Sequence, residues 1–247
     1  MTMQRIGILG GMGPEATLLI MRKILDAVCA TDDADHIPLI VDQNPQVPSR
    51  IRHIIEGTGE DPALVLAQMA ARLERAGAAA LAMPCNTAHH YSGSIQDAVS
   101  IPFLDMVDLS VRHAVALSPP GGRVGILASP AVARIALFEP VLSGHGLTAV
   151  YPADQDALLS AIRQIKAGGD SAEARAVLAA ASAELLTQSA AVQIIACTEF
   201  SLVAEAVDPR ATAFDTLDCL VRAIVEFATG DSGGQSTLAN KTTGRSA

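Results

Sequence analysis

Apolar residues fall in short runs that end in glycine or small polar residues, and each run is followed by a longer segment whose apolar positions recur three and four apart. RIGILGG at 5–11 precedes such spacing over 14–30, IPLIVD at 37–42 precedes it over 62–75, and GAAALAMP at 77–84 precedes it over 88–99. Runs that are apolar on both faces predict buried strands of a parallel sheet, and the helical period between them predicts crossover helices. The pattern then starts again. RIGILG at 5–10 recurs as RVGILA at 123–128, a shift of 118 residues, and AMPCNT at 82–87 is echoed by IIACTE at 194–199, a shift of 112. Two copies of one βα unit account for both echoes.

The predicted fold is therefore α/β, with two pseudo-symmetric lobes that are each a small parallel sheet flanked by helices. Residues 1–104 and 210–229 are assigned to the first lobe and 105–209 to the second. The apolar segment 216–228 follows a short strand at 211–215 and is expected to return to the first lobe. Residues 230–247 (GDSGGQSTLANKTTGRSA) have no periodicity and read as a disordered tail. Open α/β sheets bind ligands at the carboxyl ends of their strands, so the loops after the repeated strands would face one another across a cleft.

Composition narrows the function. The 247 residues are 50% hydrophobic and 17% charged, with a mean hydropathy of +0.34, which is a globular composition. A net charge of -9 would repel a phosphate backbone, and no Trp, two Tyr and five Phe leave little to stack on bases. Nucleic acid is not an expected partner. The longest uncharged run, 76–96, contains Pro84, Asn86, Thr87, His89 and His90 and is not expected to span a membrane. The apolar stretch 6–12 ends at Pro14-Glu15 and has neither a basic n-region nor a cleavage pattern, so a cytoplasmic chain with reduced thiols is expected. The four cysteines, at 29, 85, 197 and 219, show no metal-ligand spacing, and no metal is assigned.

Two of those cysteines stand at repeat-equivalent positions. Cys85 precedes Asn86-Thr87 and Cys197 precedes Thr198-Glu199, each after an apolar strand and before a segment read as a helix. A thiol at a helix N-terminus feels the positive end of the dipole, which lowers its pKa. Cys29 and Cys219 lie within helical patterns and read as small buried residues. Two cysteines facing each other suit proton removal from one face of a carbon and return to the other, with one sulfur starting as thiolate and the other as thiol. No lysine is placed for a Schiff-base cofactor, so Asn86, Thr87, Thr198 and backbone N–H groups are the expected donors to the carboxylate of a carbanion. Glu199 reads as either a first-turn acid of the second helix or a group that keeps Cys197 protonated, and His89 and His90 are either tuners of Cys85 or ordinary helix residues. Gly11-Met12-Gly13-Pro14-Glu15-Ala16 formally matches a dinucleotide fingerprint, but Glu15 occupies the place of a pyrophosphate. Either a small anion meets backbone N–H groups there, or the loop is a tight strand-to-helix turn.

GGMGPEAT at 10–17, DQNPQVPSR at 42–50, MPCNTAHH at 83–90 and ACTE at 196–199 together resemble the aspartate/glutamate racemase family, in particular its aspartate-racemase branch. The resemblance covers about residues 4–229. It implies a cofactor-independent, two-cysteine amino-acid racemase, usually dimeric, acting on a small amino-acid substrate. Cys85 and Cys197 then resemble the catalytic thiols. Asn86 and Thr87 would hold the α-carboxylate or ammonium, Met12, Asn44, Gln46 and Arg50 match substrate contacts, and Lys166 matches a lysine that meets a second carboxylate. Taken alone, Arg50 is a loop charge and Lys166 a helix-end cation.

The chain also departs from that pattern. Ser129, Pro130, Ala131, Val132 and Ile135 stand where the family tends to have a threonine, a Gly-Thr pair and a serine, and Asp105 stands where a histidine is common. A preference for dicarboxylic substrates therefore does not follow from the resemblance. A decarboxylase, a maleate-type isomerase and a hydantoin racemase are the related alternatives; paired cysteines argue against the first and the full motif set against the others. A non-catalytic binder of small carboxylates would need neither thiol.

Overall fold

A computed structural model describes residues 3–168 and 171–230. In chain order the elements are β1 (Ile6–Gly10), α1 (Pro14–Asp26), β2 (Leu39–Gln43), α2 (Ala63–Arg75), β3 (Ala80–Ala82), α3 (Ser92–Gln96), β4 (Phe103–Leu104), α4 (Met106–Leu117), β5 (Arg123–Ala128), α5 (Pro130–Arg134), α6 (Glu139–Gly144), β6 (Thr148–Val150), α7 (Gln155–Gly168), α8 (Ala172–Thr187), β7 (Val192–Ala196), β8 (Thr212–Asp215) and α9 (Thr216–Thr229). They form two four-stranded parallel sheets, ordered β2-β1-β3-β4 and β6-β5-β7-β8. The repeated strands occupy the same place in each sheet, β1 matching β5 and β3 matching β7.

Both faces of each sheet are covered, as the apolar strand runs require. Leu9 and Leu81 pack on Leu66, Met69 and Leu73 of α2, and Ile6, Ile8 and Ala82 pack on Ile20 and Ile24 of α1. In the second lobe Leu127 and Ile195 meet Ile162 of α7 and Leu185 of α8, while Val124, Ile126 and Ile194 meet Val107 and Val111 of α4. The lobes exchange helices. α4 follows the first sheet and packs on the second; α9 follows the second sheet and lays Leu217, Leu220 and Ile224 on the first.

The assignment of 210–229 to the first lobe needs correction at its start. β8 pairs with β7, Ile195 opposite Asp215, so the strand completes the second sheet and only the helix after it crosses over. The reason is that β8 is a half-exposed edge strand whose pairing partner lies just upstream, whereas the apolar residues of α9 cluster with those of the first sheet. The segment 88–99 is also not one helix: a 3-10 turn over Thr87–Tyr91 leads into the short α3. Of the predicted tail, Gly230 is the left-handed residue that ends α9 (φ 75°), and 231–247 lie outside the described residues.

Candidate active site

Every predicted element that carries a motif ends on the same side, at the carboxyl ends of β1, β2, β3, β5 and β7. The glycine loop after β1 is pressed against the loop after β2. A Cβ on Gly10 would come 2.7 Å from Thr17 and one on Gly11, whose φ is +91°, 2.3 Å from the backbone of Asn44. Only glycine fits there. Gly11 N–H donates to Thr17 Oγ1 (2.9 Å), so this amide serves the turn. Of the two readings of the loop, the tight strand-to-helix turn accounts for Gly11.

Cys85 and Cys197 are free, buried thiols that line one chamber of about 70 Å³, together with Met12, Arg50, Thr87, Ser129 and Lys166. At roughly 10–15 Å³ per water-sized occupant, that is room for about five or six heavy atoms, the scale of an amino acid's backbone and Cβ. The chamber shares Arg50, Lys166 and Glu199 with an outer cleft of about 300 Å³, which Glu15 and Thr198 also line. Two carboxylates and two cations thus face a side chain that leaves the chamber.

Around Cys85 the 3-10 turn is pinned by His89. Its Nε2 accepts from Met106 N–H (3.1 Å), which leaves Nδ1 to donate to the Cys85 carbonyl (2.9 Å). Burial lowers the pKa of this imidazole against the opposing charge of Asp105, so His89 is neutral and structural rather than a partner of the sulfur. His90 is exposed and rests edge-on against Tyr91. Asp105, in the place of a common histidine, caps α4 through Val107 N–H (2.8 Å).

Around Cys197 the polarity is reversed. Its Sγ donates to Glu199 Oε2 (3.0 Å), and Glu199 Oε1 stands 3.4 Å from Lys166 Nζ. Burial first, then the carboxylate's charge and hydrogen bond, push the Cys197 thiol well up. The helix dipole, expected to hold this thiol low, is overridden: the chain beyond it forms a 3-10 turn over Phe200–Ala206 with no side-chain cap, and burial dominates.

Met12, Arg50, Thr87 and Lys166 gather with the two thiols in the chamber, and Thr198 lies in the outer cleft. Asn44, Gln46 and Asn86 line neither. Asn44 Oδ1 accepts from Gln46 N–H (3.0 Å) and closes the turn, and the Gln46 side chain is exposed. Asn86 is buried and donates from Nδ2 to Thr216 Oγ1 (3.0 Å). Sequence reasoning missed Ser129 as a chamber residue. Its hydroxyl meets that of Thr87 across the lobes at 3.2 Å, and its position after β5, equivalent to Gly11 after β1, was the available signal. Among the described residues no group of three or more His, Cys, Asp or Glu is arranged to hold a metal ion, and no helix is long and apolar enough to cross a membrane.

Comparison with known proteins gives a consistent set. The pattern of the Asp/Glu/hydantoin racemase family matches residues 9–224. The broad specificity amino-acid racemase RacX of Bacillus subtilis (strain 168) is 28% identical over 226 residues, 89% of this chain and 96% of its own. The aspartate racemase of Picrophilus torridus superposes with a TM-score of 0.81 at 25% identity, over 92% of this chain and 94% of that one. An aspartate racemase homologue from Pyrococcus horikoshii OT3 shares the fold, with a TM-score of 0.72 at 23% identity over 92% and 100% of the two chains.

Proposed function

The chain belongs to the Asp/Glu/hydantoin racemase family and is an amino-acid racemase, and on that premise we propose that Cys85 and Cys197 are its two bases. Racemases of this family work without a cofactor. The observation that carries the assignment is that two free thiols, at equivalent places in the two lobes, line one chamber of amino-acid size. Glu199 holds the proton on Cys197, leaving Cys85 as the sulfur that begins as thiolate. In one direction the Cα–H bond breaks, its proton passes to the Cys85 sulfur, and its electron pair delocalises into the substrate carboxylate. The Cys197 S–H then gives its proton to the opposite face of Cα, which ends the turnover with the protonation states exchanged.

Charge that develops on the carboxylate needs fixed donors. Arg50 uses Nη1 on the carbonyls of Val47 (3.3 Å) and Pro48 (3.0 Å), which orients a guanidinium whose Nε and Nη2 donors remain for the ligand. The Thr87 and Ser129 hydroxyls supply two more donors from opposite lobes. Asn86, Asn44 and Gln46 then act through the loops rather than on the substrate.

For the side chain we read a broad acceptance. Lys166, the cation matched to a second carboxylate, is already paired with Glu199, and the outer cleft as a whole is balanced by Glu15 and Glu199 against Arg50 and Lys166. This favours a range of amino acids over a strict dicarboxylic preference. The same reading has the enzyme in the cytoplasm, where its thiols stay reduced, and as a homodimer, for which Leu18 and Leu25, exposed seven apart on α1, offer an apolar face; sedimentation at two concentrations tests the dimer. The reaction itself is tested by incubating single L-amino acids in deuterated water without added cofactor. At least one is expected to lose optical rotation while gaining deuterium at Cα; a screen with no exchange overturns the assignment of the thiols.

A further inference from the structure

Two bases on separate lobes work together only if the lobes hold them at one spacing. The chamber's own contact between lobes, Thr87 Oγ1 to Ser129 Oγ, faces the ligand and must yield to it. A second link lies behind the chamber. The Thr216 hydroxyl accepts from Asn86 Nδ2 (3.0 Å) and donates to the Ile195 carbonyl (3.2 Å). Asn86 is the residue after Cys85, and Ile195 lies two before Cys197. One hydroxyl therefore ties the chain beside one thiol to the chain beside the other. It is fully buried, Asn86 is nearly so, and neither lines the chamber or the outer cleft, so the link persists with substrate bound.

The local sequence does not require this hydroxyl for folding α9. Asp215 already caps the helix through Leu217 N–H (2.8 Å), and Thr216 is the first helical residue. As the first helical residue, Thr216 has no preceding turn of α9 to which its hydroxyl could return. The Oγ1 hydrogen goes to β7, and this fixes the rest of the geometry: a hydroxyl that donates to Ile195 must accept from Asn86, so the Asn86 amide presents Nδ2 to it.

We propose that Thr216 is a positioning residue, the strut that sets the spacing of the two thiols and hence how often a carbanion made by one is protonated by the other. The proposal rests on the two-thiol reading. After the first sulfur takes the α-proton, the carbanion has two fates. Protonation by the opposite sulfur inverts the centre; return from the same sulfur, once its proton has exchanged with solvent, labels the starting enantiomer without inversion. Strut loss shifts the balance toward return, an effect that a general loss of activity does not produce.

The test uses Thr216→Val, which keeps shape and removes the hydroxyl, and Thr216→Ser, which keeps the hydroxyl. Each full-length protein is incubated in deuterated water with one enantiomer of an amino acid that the wild type racemises, and deuterium is followed in remaining substrate and in inverted product. Thr216→Val is expected to raise the ratio of label retained to label inverted at least tenfold, with KM little changed, while Thr216→Ser keeps the wild-type ratio. Should the valine variant melt below the assay temperature, Thr216→Ala carries the same expectation. An unchanged ratio in the variants that lack the hydroxyl overturns the proposal, even if the overall rate falls, and so does a serine variant shifted as far as they are. Absence of exchange in the wild type would instead remove the two-thiol reading itself.

Discussion

Replacing Glu199 by glutamine removes the charge that pairs with Lys166, while the amide oxygen can still accept from the Cys197 thiol. Lys166 Nζ lies 3.4 Å from Glu199 Oε1; burial works against its charge and is the largest single effect, but the Glu199 carboxylate together with the two cysteine sulfurs exceeds it, and the net direction of its pKa is up. A released ammonium offers one charge-assisted hydrogen bond to a second carboxylate, worth about 1.5 to 3 kcal/mol. The Lys166 side chain is 45% exposed, so solvent screening favours the lower end, about 1.5 kcal/mol or roughly tenfold. The right quantity is a ratio: kcat/KM for glutamate over kcat/KM for glutamine, and likewise aspartate over asparagine, each from initial rates by chiral chromatography. The change at the Cys197 thiol is common to both members of a pair and cancels, which leaves the side-chain term. Glu199→Gln is expected to raise both ratios about tenfold over wild type. Ratios that stay within twofold of wild type, or fall, refute the idea that Glu199 withholds Lys166 from acidic substrates.

Arg50→Ala, measured by steady-state kinetics, is expected to raise KM by about 10- to 150-fold, the loss of about 1.5 to 3 kcal/mol of charge-assisted bonding, and Arg50→Lys to recover little because the planar fork is gone; equal KM values for wild type and the alanine variant would show that the guanidinium serves only its turn. Asp215 has its carboxyl pushed from 3.8 up to about 6, by burial first and Asp218 second, against Leu217 N–H and Lys23. Between about pH 4 and 6 the folded state therefore holds a proton that the unfolded state has lost, so wild-type stability falls by about 3 kcal/mol as pH rises through that window. Asp215→Asn keeps an oxygen to cap Leu217 and removes the titration; urea unfolding is expected to find it close to wild type at pH 4 and about 3 kcal/mol more stable at pH 8, and parallel pH profiles would contradict the burial argument.

Much of the fold was legible because its strands are simple: the runs of β1 and β5 are buried along almost their whole length, so hydrophobicity alone marks them and their repetition marks the two lobes. β8 was misplaced because an edge strand with two exposed residues and a crossover helix behind it reads as part of that helix's lobe. The thiols were legible as a pair from their repeat-equivalent places, and Glu199, two residues on, offered a group to keep Cys197 protonated; that burial would outweigh the helix dipole at Cys197 was not legible, since burial of one site is not periodic. Asn44, Gln46 and Asn86 belong to recognisable motifs, yet the motifs shape loops as well as contact ligands, and sequence does not separate the two. The Thr216 link joins residues 130 apart in the chain, a relation with no local signal.

The central claim is that each thiol serves as the base for one enantiomer and the acid for the other. Cys85→Ser and Cys197→Ser, nearly isosteric and poor bases near neutral pH, test it directly when each is incubated with pure L and pure D substrate in deuterated water and inversion is followed by chiral chromatography. Both variants are expected to keep the native circular dichroism spectrum and to lose inversion of either enantiomer. Inversion near the wild-type rate by either variant would contradict the account and return that cysteine to the role of a small buried residue.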